Sequence, residues 1–259
     1  MNESRLPYSV LAPFYEELSD NRDWDAWIEF VWNVLNRAAH LNQRSGVVRL
    51  LDAACGTGRI ARALAERGLH VVGVDASAAM LAEAKKKRRG LEDQLHLYHQ
   101  DLRQLDLAET FDVAICLCDS LNYLLELSEL QKAFERIAAH LKSGGLFLFD
   151  MDTEWKLANI YGDYSYGENR DGFSLIWENS YNPLAATVEM KLAFFIQESD
   201  GRYVRCDEVH RQRAYPAEDI VSLLHQAGFE LLDSGRVFGL EPPEPIRERI
   251  FYLAQKVQE

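Results

Sequence analysis

Three acids recur in the first half of the chain, Asp52, Asp75 and Asp101, each placed at or just beyond the end of a short apolar run. Asp52 leads through Ala53, Ala54 and Cys55 to Gly56 and Gly58, after which Ile60, Ala61, Leu64 and Ala65 take up helical spacing. That order reads as a strand, a tight turn and a helix N-terminus. Glycine belongs in such a turn because the backbone needs unusual angles and a ligand must approach it without meeting a Cβ. The helix start offers unpaired N–H groups to the negative end of a ligand. A carboxylate just before the turn repels a pyrophosphate and welcomes a cation, so a ligand carrying both ammonium and carboxylate suits it. An acid ending the next strand, Asp75, can accept both hydroxyls of a ribose. Asp101 can accept from an adenine amino group. Met80, one turn into the helix after Asp75, can pack either on an adenine face or in the core.

The elements that must hold these residues alternate. Val47 to Leu51 forms a first strand behind Gly46, and a helix follows to Arg67 with Gly68 as its stop. His70 to Val74 is a second strand, and Ser77 caps the next helix. Leu95 to Tyr98 is a third, and Phe111 to Cys118 a fourth, nearly continuous in apolar residues as a strand covered on both faces should be. Ser128 with Gln131 reads as a capping box for a helix ending at Gly144 and Gly145, ahead of a fifth strand, Leu146 to Phe149. Strand and helix in alternation imply a parallel sheet. Upstream, Tyr8 to Tyr15 is aromatic, and Trp24, Trp27, Ile28, Val31, Leu35 and Ala38 make an amphipathic helix that covers one end of the sheet.

After Asp150 the pattern changes. Residues 151–172 are polar and aromatic without a clear period. From Phe173 the period falls to two, and Phe173 to Tyr181, Thr187 to Gln197 and Tyr203 to Tyr215 read as three antiparallel strands with turns at Asn182-Pro183 and Asp200-Gly201. Pro216 at N1 opens a further helix, and Phe229 to Phe238 and Ile250 to Val257 supply two closing strands. The division is 1–150 for N-terminal helices and a ligand-binding core, 151–214 for an antiparallel lid, and 215–259 for the elements that complete the core sheet.

The chain has 259 residues, of which 47% are hydrophobic, enough for one full α/β domain with a modest insertion. A net charge of −13 repels phosphate backbones and anionic membranes, which argues against nucleic acid and membrane partners. The basic run Lys85 to Arg89 complements a helix C-terminus ahead of Gly90. Met1 to Val10 lacks the order of a signal peptide, and no apolar run reaches spanning length, so a cytoplasmic location is expected. Cys55, Cys116, Cys118 and Cys206 lack the paired spacing of a zinc site and read as reduced packing residues; no metal is expected.

The stretches LDAACGTG, VGVDAS with Met80, QDLRQL, CLCDSLNYL and GGLFLFD resemble, in order, the motifs of the class I S-adenosylmethionine-dependent methyltransferases, in the small-molecule group with an antiparallel lid. The resemblance covers residues 47–150 and, more loosely, the rest, including YPAEDIVSLLHQAGF. It implies a Rossmann-like α/β fold: a seven-stranded, mostly parallel sheet with helices on both faces, a last antiparallel strand, and an antiparallel β insertion. It implies S-adenosyl-L-methionine as cofactor and a small molecule as acceptor. By that likeness Asp52, Ala54 and Gly56 surround the methionine part, Asp75 holds the ribose, and Asp101 and Leu102 lie near adenine. Cys118 and Asp119 follow the fourth strand beside the methionine and the substrate, Tyr8 and Tyr15 reach in from the N-terminal helices, and Gly58, Ala76 and Met80 complete the expected cofactor-binding set. Where the family often has glycine, this chain has Ala54.

A nicotinamide-dinucleotide oxidoreductase is the chief rival, since Gly56-Thr57-Gly58-Arg59-Ile60-Ala61 also satisfies G-x-G-x-x-G/A. Asp52 faces the place a pyrophosphate would take, and residues 1–46 precede the first strand, whereas dinucleotide domains often begin with theirs. A binding module that keeps the cofactor and has lost catalysis is the other rival; three intact acids argue against decay. Methyl transfer from a sulfonium mainly requires a nucleophile held in line, with a general base only where the nucleophile must lose a proton. His210, Tyr166 and Asp119 are the candidate bases, though a lone histidine on a strand is more often a surface residue. The insertion is expected to close over the substrate and exclude water, with Arg205 or Arg213 available for an acidic group. The sequence is compatible with O, N or C as the methylated atom and with a monomer or a dimer.

Overall fold

The structure, a computed structural model, describes residues 7–41 and 48–257. Met1 to Leu6, Gly46 and Val47 lie outside the described residues. The chain opens with α1 (Tyr15–Leu18) and α2 (Trp24–Leu41). It then alternates through β1 (Arg49–Ala53), α3 (Arg59–Glu66), β2 (His70–Asp75), α4 (Ala78–Lys87), β3 (Leu95–His99), β4 (Phe111–Cys116), α5 (Leu127–His140) and β5 (Leu141–Asp152). A short α6 (Glu154–Lys156) leads to four further strands, β6 (Ser165–Arg170), β7 (Phe173–Asn182), β8 (Thr187–Gln197) and β9 (Tyr203–Arg213). The chain then returns through α7 (Ala217–Gln226), β10 (Phe229–Ser234) and β11 (Arg249–Lys256).

The main sheet has seven strands in the order β10-β11-β5-β4-β1-β2-β3, and only β11 runs antiparallel to its neighbours β5 and β10. The strand order reverses beside β1, so a crevice opens outside the carboxyl ends of β1 and β4. One face of the sheet is buried under α2 and α3, where Trp27, Val31, Val34, Ile60 and Leu64 pack on Leu50, Ile115 and Leu253. The other face is buried under α5 and α7, through Phe134, Ile137, Ile220 and Leu224. The second sheet, β6-β7-β8-β9, is antiparallel throughout. Its period-two pattern buries Val188, Met190, Leu192 and Phe194 on one face, where Val10 and Leu11 of the N-terminal segment join them.

Several expected boundaries move, each for a physical reason. The N-cap of α5 is Glu126, which forms its capping box with Glu129, so Ser128 and Gln131 lie inside the helix. A carboxylate serves the orphan N–H groups as well as a hydroxyl does. The same helix ends at His140, and Gly144 and Gly145 belong to β5, where the register with β4 shifts and Gly144 takes φ +67°. The insertion has four strands, not three: β6 is an edge strand, mostly exposed, and its polar sequence hides the alternation. The first strand ends at Ala53, beyond Leu51, the fourth stops at Cys116, and Pro216 is the N-cap of α7. The basic run does fall in the last turn of α4. All four cysteines are free. Among the described residues no helix is long and apolar enough to cross a membrane.

Candidate functional site

The turn after β1 is fixed by main-chain bonds before any ligand is involved. Ala54 and Cys55 donate their N–H groups to the Val74 carbonyl at 2.8 and 2.9 Å, and Gly58 donates to Cys55 at 2.9 Å. Ala54, Gly56 and Gly58 all take positive φ, +70°, +55° and +74°. At Gly58 an added Cβ would also lie 3.2 Å from the Ala84 Cβ, so glycine lets α4 approach the helix start. Asp75, at the end of β2, ties the turn down: one oxygen accepts from Gly56 N–H and the other from Ser77 N–H, each at 2.8 Å.

Around this turn lies a cavity of about 470 Å³. Asp52, Ala54, Gly56, Asp75, Ala76, Met80, Asp101 and Leu102 line one side, and Cys118 and Tyr123 the other. Tyr8 and Tyr15 close over it from the N-terminal segment. That segment is fastened by Glu16, which accepts from Thr57 Oγ1 at 2.7 Å and Arg59 Nη2 at 3.0 Å and pairs with Lys87 at 2.8 Å. Burial pushes Glu16 up, but its bonds to Lys87 and Thr57 and the charge of Arg59 outweigh that and hold it below the usual carboxylate range.

Asp52 is 4% exposed. Burial first, then the charge of Asp75, pushes its pKa up to about 7, and among the described residues no cationic side chain pairs with it. The cavity therefore holds a buried acid that lacks a cation, beside a glycine turn and a helix N-terminus. These donors and acceptors fit a ligand with a nucleoside hydroxyl pair and an amino-acid ammonium.

On the far wall, Cys118 and Asp119 take φ +60° and +55° in succession, a strained arrangement for residues with side chains. Asp150, at 0% exposure, holds it by accepting both N–H groups, at 2.7 and 2.9 Å. Arg249 of β11, also fully buried, binds Asp150, Asp119, Asp152 and Glu244 together. Burial raises Glu244, yet Arg249, Lys156 and Arg22 overcome it and hold that carboxyl down at about 2.

Of the residues expected at the site, Tyr8, Tyr15, Asp52, Ala54, Gly56, Asp75, Ala76, Met80, Asp101, Leu102 and Cys118 meet at one cavity. Gly58 is beneath it, packed on α4. Asp101 is already held by the Arg103 guanidinium, with Nε at 3.0 and 3.1 Å from its two oxygens. Asp119 is not among the residues that line the cavity, and its oxygens accept from Arg249 at 2.7 Å and Gln212 at 2.6 Å. Tyr166 is not among the residues that line the cavity; it is 47% exposed and stacked on Trp177. His210 is not a surface residue: at 2% exposure it sits behind Tyr123, whose hydroxyl is 2.8 Å from its Nδ1. Arg205 pairs with Asp207, and Arg213 reaches the Leu125 carbonyl.

The sequence reading missed Tyr123, Glu208, Glu16 and Arg249. For Glu208 a signal existed: Glu208, His210 and Gln212 share one strand face by period two, and all three are buried. Arg249 offered none, standing among Arg247 and Glu248 in a Pro-rich connection.

A seven-stranded sheet with one antiparallel strand and an acid-headed glycine turn at its switch point defines a Rossmann-like protein with a cavity at the carboxyl ends of its strands. The family model for the methyltransferase domain matches residues 50–145. A protein of Geobacillus sp. (strain WCH70), named as a methyltransferase without a substrate, is 38% identical over 97% of this chain and 100% of its own. An S-adenosylmethionine-dependent methyltransferase from Clostridium acetobutylicum superposes with a TM-score of 0.79 at 30% identity, covering 95% of this chain and 96% of that one. A Streptomyces fradiae dTDP-3-amino-3,6-dideoxy-alpha-D-glucopyranose N,N-dimethyltransferase is 40% identical over 70% of each chain. The chain belongs to the class I S-adenosylmethionine-dependent methyltransferases.

Asp75→Ala unties Gly56 and Ser77 from the end of β2 and tests the expectation that Asp75 accepts from ribose hydroxyls. Cofactor affinity, read by calorimetry, is expected to fall by about 1.5–3 kcal/mol, as for loss of charge-assisted hydrogen bonds. Unchanged affinity would remove Asp75 from the ribose.

Proposed function

We propose that this protein binds S-adenosyl-L-methionine in the 470 Å³ cavity and transfers its methyl group to an amine nitrogen of a small acceptor. The observation that carries the cofactor half is Asp52, buried beside Asp75 at the glycine turn and, among the described residues, without a cationic partner. The ammonium of the methionine part supplies the missing cation. Asp75 accepts from the ribose, Ala76, Met80 and Leu102 bound the adenine, and Ala54 and Gly56 let the main chain approach. When bound, the sulfonium supplies an electrophilic methyl. The protein's work is then to orient the acceptor and exclude water, which in the best intramolecular cases accounts for about 7–11 kcal/mol of a barrier. The amine half is supported by the Streptomyces fradiae relative, whose named acceptor is an amino sugar. The three tyrosines, Tyr8, Tyr15 and Tyr123, give the cavity mouth hydroxyls that suit an ammonium.

Titration calorimetry with S-adenosylmethionine and its demethylated product should show binding below millimolar. No heat at millimolar concentrations would end the cofactor reading. With methyl-labelled cofactor, a panel of amino sugars, amino acids and alcohols should yield label only on the amines; label on an alcohol oxygen alone would overturn the amine reading.

A further inference from the structure

Behind the cavity a line of hydrogen bonds runs from the mouth into the second sheet. The Tyr8 and Tyr123 hydroxyls are 2.8 Å apart, Tyr123 and His210 Nδ1 are 2.8 Å apart, and His210 Nε2 is 2.8 Å from Glu208 Oε1. The chemistry of its ends gives the line a direction. Glu208 is 0% exposed and accepts the main-chain N–H groups of Tyr8, Val10 and Leu11, the last two at 2.8 and 3.0 Å, so it is an acceptor and His210 Nε2 carries the hydrogen. In the Nε2–H tautomer Nδ1 is an acceptor, so Tyr123 donates to it and Tyr8 donates to Tyr123. Burial before all else keeps both phenols protonated, raising them well above their usual range. Among the described residues no donor reaches the Tyr8 oxygen, which is the open end of the line on the cavity wall. Asp119, whose charge acts on both Tyr8 and Tyr123, is held by Arg249 and Gln212.

We propose that Tyr8, Tyr123, His210 and Glu208 form a proton relay that takes the proton from the acceptor's ammonium and lodges it on His210. The inference rests on the amine reading above. The substrate N–H bond breaks with its electron pair left on nitrogen, and the proton joins the Tyr8 oxygen. The Tyr8 proton passes to Tyr123, and the Tyr123 proton passes to His210 Nδ1. The imidazolium so formed lies against the Glu208 carboxylate, and the freed nitrogen lone pair is the nucleophile. Glu208 is a positioning residue: it fixes the imidazole tautomer and, through the same two oxygens, the turn that carries Tyr8.

The direction of the line is testable without any acceptor. In the 15N-labelled protein at neutral pH, long-range correlation spectra of His210 should show the Nε2–H tautomer, and Tyr123→Phe should shift the Nδ1 resonance while leaving that tautomer in place. An Nδ1–H tautomer, or an Nδ1 resonance indifferent to Tyr123→Phe, would overturn the relay. With an accepted amine and labelled cofactor, Tyr123→Phe and His210→Gln should each lower kcat about 100-fold or more, with KM and cofactor affinity within about twofold. Their combination should be no worse than either alone, because the residues act as a unit. Additive losses, or losses in KM alone, would mark the residues as structural. Should the unaltered protein methylate no amine, the amine reading falls, and the imidazole resonances still decide the relay.

Discussion

Asp52→Asn is expected to stabilise the ligand-free protein at neutral and alkaline pH while weakening cofactor binding. Asp52 lies in a buried site with Asp75 as its charged neighbour, and its pKa rises from the usual 3.8 to about 7. A carboxyl whose folded pKa is raised contributes most below its unfolded pKa, and that contribution is lost as pH climbs through the folded one. Between pH 4 and 7 this one group therefore withdraws on the order of 4 kcal/mol. Asparagine keeps the oxygen that accepts from the Ala61 main chain and carries no charge, so the withdrawal disappears. The melting temperature of Asp52→Asn should exceed that of the unaltered protein at pH 8, with the gap closing toward pH 4. Equal melting temperatures at both ends would show that Asp52 is not a destabilised carboxylate.

Binding should show the opposite dependence. An ammonium beside Asp52 favours its ionised form, so cofactor binding below about pH 7 must release a proton, and affinity must rise with pH before levelling off. Calorimetry in buffers of different ionisation enthalpy reads that proton directly. In Asp52→Asn the release should vanish, and affinity should fall by about 1.5–3 kcal/mol. Proton uptake, or a pH-independent affinity, would place the ammonium elsewhere.

This pairing of a glycine turn with an acid was legible in the chain because both are local. Asp52, Gly56 and Gly58 lie within one strand-turn-helix passage, and Asp75 and Asp101 mark later strand ends in the same register of elements. The parallel half of the sheet was equally legible, since continuous apolar strands alternate with amphipathic helices. What escaped was long-range. Glu208 meets Tyr8, Val10 and Leu11 across nearly the whole chain, and no spacing rule joins positions so far apart. Edge strand β6 escaped because an exposed strand has no apolar face to show. Ser128 and Gln131 satisfied a capping pattern that Glu126 and Glu129 satisfy in the fold; sequence patterns of that kind are accurate to about a residue or two.

Arg249 is where the fold and the site depend on one side chain, and Arg249→Met should cost about 3–5 kcal/mol of stability at pH 8. The guanidinium is 0% exposed, with Nη2 at 2.7 Å from Asp119 and 2.8 Å from Asp152, Nε at 2.8 Å from Glu244, and Nη1 on Asp150. Burial already lifts Asp150 and Asp152 above the usual carboxylate range with the arginine present. Without it, among the described residues only Lys156 and Arg22 pair with this group of acids, Lys156 at 3.1 Å from Asp152 and 2.9 Å from Glu244, and Arg22 at 3.6 Å from Glu244. Asp150 would lose its cation while still having to hold the strained Cys118–Asp119 turn on the cavity wall. Lysine is not a substitute, because one ammonium cannot present the planar fork that meets four carboxylates at once. The loss has a pH signature. Abandoned carboxylates take up protons more readily, so the variant's deficit should shrink as pH falls from 8 to 5. Urea unfolding of both proteins at the two pH values measures this. A deficit equal at both would assign the loss to the packing of Arg249 over Trp27, 5.3 Å away, and not to the four acids it holds together.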